Sequence, residues 1–193
     1  MGYKHPLAWF KRSLTLLLIL PQALWLFSAS SSHAADEPHI LYMSQQDFLT
    51  QVFNHSHPDR KLLILNEALK RKAEKILAHR YPGARIRYWK NNNKTAWIFD
   101  EIGKDMPITM GIAIEAGKIQ AVEILVYREE RGGEVHQSFF KQQFINSVLN
   151  SDNTLSKEID GITGATLSVN AVTRITKLAL ALHAHVSNTR SNP

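Results

Sequence analysis

The sequence predicts an α+β domain in which an antiparallel sheet packs with helices. Alternating apolar residues occupy 85–89, 95–99, 108–114 and 122–126, the period expected of half-buried strands. Apolar residues at helical spacing occupy the segments before and after these strands. With 44% hydrophobic and 21% charged residues, the chain of 193 residues has the composition of a globular protein with one core.

Residues 1–34 are predicted to be a signal peptide. The apolar run 14–27 follows three basic residues, Lys4, Lys11 and Arg12, and precedes small residues around Ala34 that suit a cleavage site. The run is short for a membrane-spanning helix and Pro21 interrupts it, although an uncleaved membrane anchor is the alternative. We therefore expect an exported, periplasmic protein.

Composition also excludes several functional classes. Removal of the signal peptide lowers the formal net charge from +6 to +3, which is too small for a nucleic-acid-binding surface, so no nucleic-acid partner is expected. The chain has no cysteine, which excludes thiol chemistry, iron–sulfur clusters and thioether-linked haem. A redox function would therefore need a cofactor that is not held by sulfur.

Residues 35–104 are predicted to form helices and a hairpin that pack on the rest of the protein. A short helix begins after Ser44 and ends at Phe53. A second helix is predicted from apolar residues at helical spacing, Leu62, Leu65, Leu69, Ala73 and Ile76, and Tyr81-Pro82-Gly83 ends it. Strands 85–89 and 95–99 then form a hairpin, with Trp89 and Trp97 expected in the core and stacking on a ligand as the alternative.

Residues 105–186 are predicted to form the main domain, followed by a flexible tail over 187–193. Strands 108–114 and 122–126 are joined by a turn at Ala116-Gly117, and the sheet is predicted to bury one face. A helix is predicted in FFKQQFINSVL, residues 139–149. The last helix buries a stripe that contains Val172, Ile175, Ala179 and Leu182.

The sequence DGITGATLS, residues 160–168, leads into the N-terminus of this last helix. Backbone N–H groups at a helix N-terminus lack intrahelical partners and the dipole favours an anion, so a phosphate group is a suitable ligand. Gly161 and Gly164 allow close approach of the backbone, and Thr163 and Thr166 offer hydroxyl groups that can bind a phosphate or be esterified by it. In the alternative interpretation, one of these threonines is only the N-cap of the helix.

The same residues resemble the attachment motif of the FMN-binding domain family, which occurs in the flavin subunits of the sodium-pumping NADH:quinone reductase and the Rnf complex. The family motif is Asp, two variable residues, Ser or Thr, Gly, Ala, and a final Thr or Ser that receives FMN. Asp160, Thr163, Gly164 and Ala165 match it, and Thr166 is at the acceptor position. The resemblance implies FMN linked by a phosphoester to Thr166, attached by a flavin transferase that uses FAD as donor.

The resemblance covers residues 105–182 and implies a wider site and a function. A second segment of the family resemblance is the turn REERGG, residues 128–133, called the RGG turn here. The implied cofactor-binding residues come from the motif and from this turn, and they are Asp160, Gly161, Thr163, Gly164, Ala165, Thr166, Leu167, Ser168, Glu129, Arg131 and Gly132. The turn departs from the family, in which many members have threonine at the position of Glu130. The implied function is that of an electron carrier rather than a stand-alone enzyme, with an unidentified redox partner that could be membrane-bound.

Other interpretations remain open. The domain could bind FMN or another phosphate ligand reversibly, or it could be a scaffold in which TGAT only caps a helix. The segment HSHPD, residues 55–59, could supply three metal ligands, and the pair His183 and His185 two more. The pair does not share a helix face and the segment lacks a recognisable partner, so no metal is expected.

Overall fold

The computed structural model describes residues 39–188. The predicted signal peptide lies outside the described residues, as do residues 189–193 of the predicted tail. Within the described range, no helix is both long enough and apolar enough to span a membrane.

Six strands form one antiparallel sheet, which confirms the predicted α+β class. In chain order they are β1 (Ile40–Leu41), β2 (Asp59–Ile64), β3 (Arg85–Asn91), β4 (Lys94–Ile102), β5 (Pro107–Glu115) and β6 (Lys118–Tyr127). Their order across the sheet is β1-β6-β5-β4-β3-β2, so the chain crosses from one edge to the other after β1 and returns by successive antiparallel neighbours. This order places the β4–β5 loop and the end of β6 at the same end of the sheet.

The helices cover both faces of this sheet. They are α1 (Gln45–Val52), α2 (Glu67–Leu77), α3 (Ser138–Lys141) and α4 (Thr166–Asn188), with short 3₁₀ helices at Gly133–His136 and Gln142–Phe144. Ser44 caps α1 as predicted, because its hydroxyl accepts the backbone N–H of Asp47 at 3.0 Å. α4 packs against α2 and the central strands, whereas α1 contacts β4, β5 and β6.

Two buried clusters lie on opposite faces of the sheet. In the larger one, under α2 and α4, Trp97 is fully buried and stacks on Tyr88 with ring centroids 4.7 Å apart. In the smaller one, Trp89 packs with α1 residues, so both tryptophans are in the core as predicted. The prediction of a single buried face is therefore wrong. α1 approaches the second face closely because Gly111 has no side chain: a Cβ there would lie 2.7 Å from the Phe48 ring.

Two predicted helices differ from the observed ones. Leu62 is in strand β2, and α2 begins only after Asn66, whose side chain accepts the backbone N–H of Leu69. The helical spacing across Leu62 and Leu65 was fortuitous, because Asn66 caps the helix at its start. The predicted helix over 139–149 is confirmed only in its first part, as α3 and the 3₁₀ helix Gln142–Phe144 that follows it. Beyond Phe144 the backbone turns back, and residues 146 and 147 exchange hydrogen bonds with Ile119 at the start of β6.

A buried histidine connects α4 to the sheet. The backbone N–H of Gly117 donates to Nε2 of His183 at 3.2 Å, so the proton of the neutral ring is on Nδ1, which lies 2.8 Å from the Thr95 hydroxyl. Trp97 donates to the same hydroxyl at 2.9 Å. Burial, and secondarily the charge of Lys90, lower the pKa of His183 from 6.5 to about 4, so the ring is neutral at physiological pH.

Candidate functional site

The start of α4 lacks the groups that usually stabilise a helix N-terminus. Helical residues begin at Thr166, so the N-cap position is Ala165, whose carbonyl accepts the N–H of Val169 at 2.9 Å. An alanine side chain cannot cap, and the first turn contains no acidic residue. The alternative that Thr163 or Thr166 is the N-cap is therefore wrong, and the positive end of the helix dipole has no anionic side chain in the first turn.

A tight turn presents this helix start. The N–H of Ala165 donates to the carbonyl of Ile162 at 3.0 Å, and Gly164 in the third position has φ +82°, the value that type II turns require there. Before the turn, the N–H of Asp160 donates to the side chain of Gln143 at 2.7 Å. The turn leaves Thr163 and Thr166 exposed, and Ala165 is the buried residue between them.

A hydrogen-bonded link joins the helix start to the RGG turn after β6. The Tyr127 hydroxyl donates its proton to the carbonyl of Arg131. It therefore accepts the hydrogen bond from Oγ of Ser168, which lies 2.9 Å away. Burial raises the pKa of Tyr127, so the phenol remains protonated. Gly132, with φ +86°, lies against this link, since a Cβ on it would be 2.7 Å from Oγ of Ser168. The turn and the helix start thus form one packed unit.

These two segments and the β4–β5 loop enclose a cleft of about 700 Å³. Residues 164–168 form one wall, 128–131 another and 104–106 the third. Its lining is rich in charge of both signs, with Lys104, Arg128 and Arg131 facing the same space as Asp105, Glu129 and Glu130. The volume is in the range of ordinary cofactor and ligand pockets.

Glu129 holds the third wall in place. Its Oε1 accepts the backbone N–H groups of Lys104, Asp105 and Met106 at 2.5–3.0 Å. Gly103 permits this approach, because a Cβ there would lie 2.8 Å from the same oxygen. The neighbouring Arg128 donates to the carbonyl of Pro107 and to the hydroxyl of Thr109, both at 2.9 Å. Both side chains therefore fix the shape of the cleft.

Replacing Glu129 with alanine is expected to loosen the β4–β5 loop. Hydrogen bonds to a charged acceptor contribute about 1.5–3 kcal/mol, so amide exchange in residues 104–106 should accelerate at least tenfold. Hydrogen–deuterium exchange followed by mass spectrometry measures this directly. Glu130→Ala is the matched control, because it removes the same charge from an exposed side chain. Equal acceleration in both variants would contradict the anchoring role of Glu129.

Comparison with known families identifies the region that builds this cleft. Residues 103–181 match the model of the FMN-binding domain. This segment is an FMN-binding domain. It begins at the loop that Glu129 anchors and includes β5, β6 and most of α4. No curated protein matches the chain.

The residues of the FMN-binding domain fit the cofactor chemically. A phosphate needs hydrogen-bond donors and positive charge, and the uncapped start of α4 supplies the former together with a favourable dipole. Arg131 and Lys104 line the same cleft and add cationic groups, of which the guanidinium can bind phosphate in a bidentate manner. Leu167, which is exposed, and Met106 both line the cleft and supply apolar surface for a ring.

The structure brings some of the predicted site residues together and not others. Gly164, Ala165, Thr166, Leu167, Ser168, Glu129 and Arg131 line the cleft of the FMN-binding domain. Asp160, Gly161 and Thr163 are exposed in the loop that leads to it, and Gly132 lies behind the wall against Ser168 and Tyr127. Within 39–188 no group of three or more His, Asp or Glu side chains could hold a metal ion.

Sequence reasoning did not find the wall formed by Lys104, Asp105 and Met106. The signal for it was topological: in an antiparallel meander, the loop before β5 and the segment after β6 lie at the same end of the sheet. The predicted strands 108–114 and 122–126 therefore imply that residues 104–106 lie near the segment after β6. The bonding of Glu129 to the β4–β5 loop could not be predicted from the order of the strands, because it depends on how far its side chain reaches.

Proposed function

We propose that this protein is an exported electron-transfer flavoprotein in which the FMN phosphate is esterified to Thr166. The observation that carries the proposal is the position of this residue. Thr166 is exposed at the uncapped start of α4 and lines the cleft of an FMN-binding domain. The flavoprotein would relay electrons between a membrane or periplasmic reductase and an acceptor.

Attachment requires one displacement at phosphorus. The oxygen of the Thr166 hydroxyl would form a bond to the FMN phosphorus of FAD, and the bond from that phosphorus to the bridging pyrophosphate oxygen would break. AMP would leave with the bridging oxygen, and the hydroxyl proton would pass to a base. Glu129 is not free to serve as the base, because its Oε1 accepts three backbone N–H groups of the β4–β5 loop, whereas Glu130 lines the same cleft as Thr166. In the proposal an external flavin transferase supplies the base, and the exposed loop 160–164 is the surface that it recognises.

The chain's own residues would hold and surround the cofactor. FMN supplies reversible one- and two-electron transfer when bound. The N–H groups at the start of α4 and the side chain of Arg131 would hold the phosphate, and Leu167 and Met106 would contact the apolar part of the ligand. Covalent attachment suits a compartment in which free FMN is scarce, since an ester is not lost by dissociation.

Intact-mass spectrometry under denaturing conditions tests the proposal. The protein should be exported from a cell that contains an active flavin transferase. We expect an increase equal to FMN minus water, and peptide mapping should place it on the peptide that contains Thr166. A reversible ligand would leave on unfolding, so an unmodified mass with the transferase active on a control substrate would contradict the covalent carrier.

A further inference from the structure

Helix α1 covers only part of the second face of the sheet. It lies over Trp89, Ala96 and Ala113. Beyond these residues the same face continues onto β2, β3 and the end of β4, where no helix within residues 39–188 covers it. The exposed side chains of this open face are Arg60, Leu62, Ile64, Arg85, Arg87, Asp100 and Ile102.

The open face alternates arginine with aliphatic residues. Across the β2–β3 ladder, Leu62 is opposite Arg87 and Ile64 is opposite Arg85, so each aliphatic side chain has a guanidinium beside it. Leu62, Ile64 and Ile102 are 54%, 70% and 51% exposed, which makes them three of the most exposed large apolar residues in the described chain. Such a row of exposed aliphatic groups is unusual at the surface of a protein without a partner.

Positive charge is concentrated in the same part of the chain. Residues 59–91 contain ten Lys and Arg against three Asp and Glu, whereas residues 92–188 contain nine against eleven. None of the three arginines of the open face makes an ion pair with another residue of the described range. Residues 59–91 therefore carry a formal net charge of +7, against −2 for residues 92–188, and they lie outside the FMN-binding domain. On the open face itself this charge comes from Arg60, Arg85 and Arg87, against the single acidic residue Asp100.

We propose that the open face binds the surface of an anionic lipid bilayer. Arginine pairs with lipid phosphates and is attracted to an anionic membrane, while exposed aliphatic side chains can enter the interfacial region. Protein interfaces are enriched in arginine and in aromatic residues. This face has the arginines, but its exposed apolar residues are all aliphatic, so an anionic bilayer fits it better than a protein partner. The proposal does not depend on flavin attachment.

Membrane binding would place the cleft close to the bilayer. Ile102, at the end of the open face, is followed directly by the β4–β5 loop that forms one wall of the cleft. A carrier bound in this way would exchange electrons with membrane-embedded partners without a protein adaptor.

A fluorescent probe at residue 64 tests this proposal in the full chain. Because the protein has no cysteine, Ile64→Cys can be labelled uniquely with a polarity-sensitive fluorophore. We expect a blue shift on addition of vesicles of phosphatidylglycerol and phosphatidylcholine, no shift with phosphatidylcholine alone, and reversal of the shift in 0.5 M NaCl (about a 4 Å screening length). The same label on Ser151→Cys, an exposed loop position, should not respond.

Charge reversal separates a specific face from general attraction. In the labelled protein, Arg85→Glu with Arg87→Glu should raise the lipid concentration at half-maximal shift at least tenfold. Arg71→Glu with Lys72→Glu, which makes the same charge change on exposed residues of α2, should raise it much less. The proposal is overturned if the two pairs of substitutions raise the lipid concentration at half-maximal shift equally, or if neutral vesicles cause the same blue shift. It is also overturned if the probe shows no shift with anionic vesicles, in which case an acidic protein is the better candidate for the open face.

Discussion

Thr166→Val is expected to abolish covalently bound flavin while the protein remains folded. Valine keeps the branched shape of threonine but has no hydroxyl, so no phosphoester can form. Thr166 is exposed and its side chain does not cap α4, so the free energy of unfolding should change by no more than about 0.5 kcal/mol. In-gel flavin fluorescence after denaturation and intact-mass spectrometry measure the adduct, and urea unfolding measures the stability.

Two matched variants distinguish loss of the acceptor from damage to the motif. Thr166→Ser retains a hydroxyl at the same position and should keep the adduct. Thr163→Val removes the other exposed hydroxyl of the turn and alters the loop that the transferase would recognise, so the amount of adduct should fall, and fragmentation of the modified peptide should still place the adduct that forms on Thr166. An adduct that persists in Thr166→Val, or that disappears only in Thr163→Val, would rule out Thr166 as the attachment site.

Acidification from pH 7 to pH 4 is expected to destabilise the protein by about 3 kcal/mol through His183 alone. The pKa of the His183 ring is about 4 in the folded protein and 6.5 in the unfolded chain. As the pH falls, the unfolded chain therefore binds the proton at a higher pH than the folded protein does. The contribution of His183 to stability is therefore complete above pH 6.5 and is lost as the pH falls from 6.5 towards 4. Protonation would also place a hydrogen on Nε2, which accepts the N–H of Gly117.

A comparison of variants isolates this contribution from that of the carboxylates. His183→Gln should have a lower free energy of unfolding than the wild type at pH 7, because it changes a buried contact. Between pH 7 and pH 4, however, its free energy of unfolding should fall by about 3 kcal/mol less than that of the wild type. His57→Gln, at an exposed position, should show the wild-type difference. Urea unfolding at the two pH values supplies the numbers. The same pH difference in His183→Gln as in the wild type would contradict the role of this ring.

Much of the fold was predictable because local patterns and tertiary packing agreed. The strands from β3 to β6 show a clear period of two, and Ala116-Gly117 provides the positive φ values, +50° and +78°, of a tight hairpin turn. Prediction failed where a short element depends on distant partners. Strand β2 has polar and apolar residues in mixed order, so its sequence shows no period of two. It is defined by its pairing with β3, which its local sequence does not predict.

The candidate site shows the same division. The motif at 160–166 could be found because its residues are contiguous and because a helix N-terminus has known chemistry. The wall that Glu129 anchors could not, since one carboxylate oxygen reaches three backbone groups more than twenty residues away in the chain. The link between Tyr127 and Ser168 likewise spans 41 residues and depends on how α4 lies on β6.

Ala165 at the N-cap bears on how the protein would mature. Without a Ser or Asp cap, the first turn of α4 forgoes about 1 kcal/mol, although Ser168 in that turn is bonded to Tyr127. A transferase would meet its acceptor, Thr166, exposed at a helix end that has no anionic side chain of its own. The attached phosphate would supply the missing anion, so flavin attachment would also stabilise the start of the helix in the finished holoprotein.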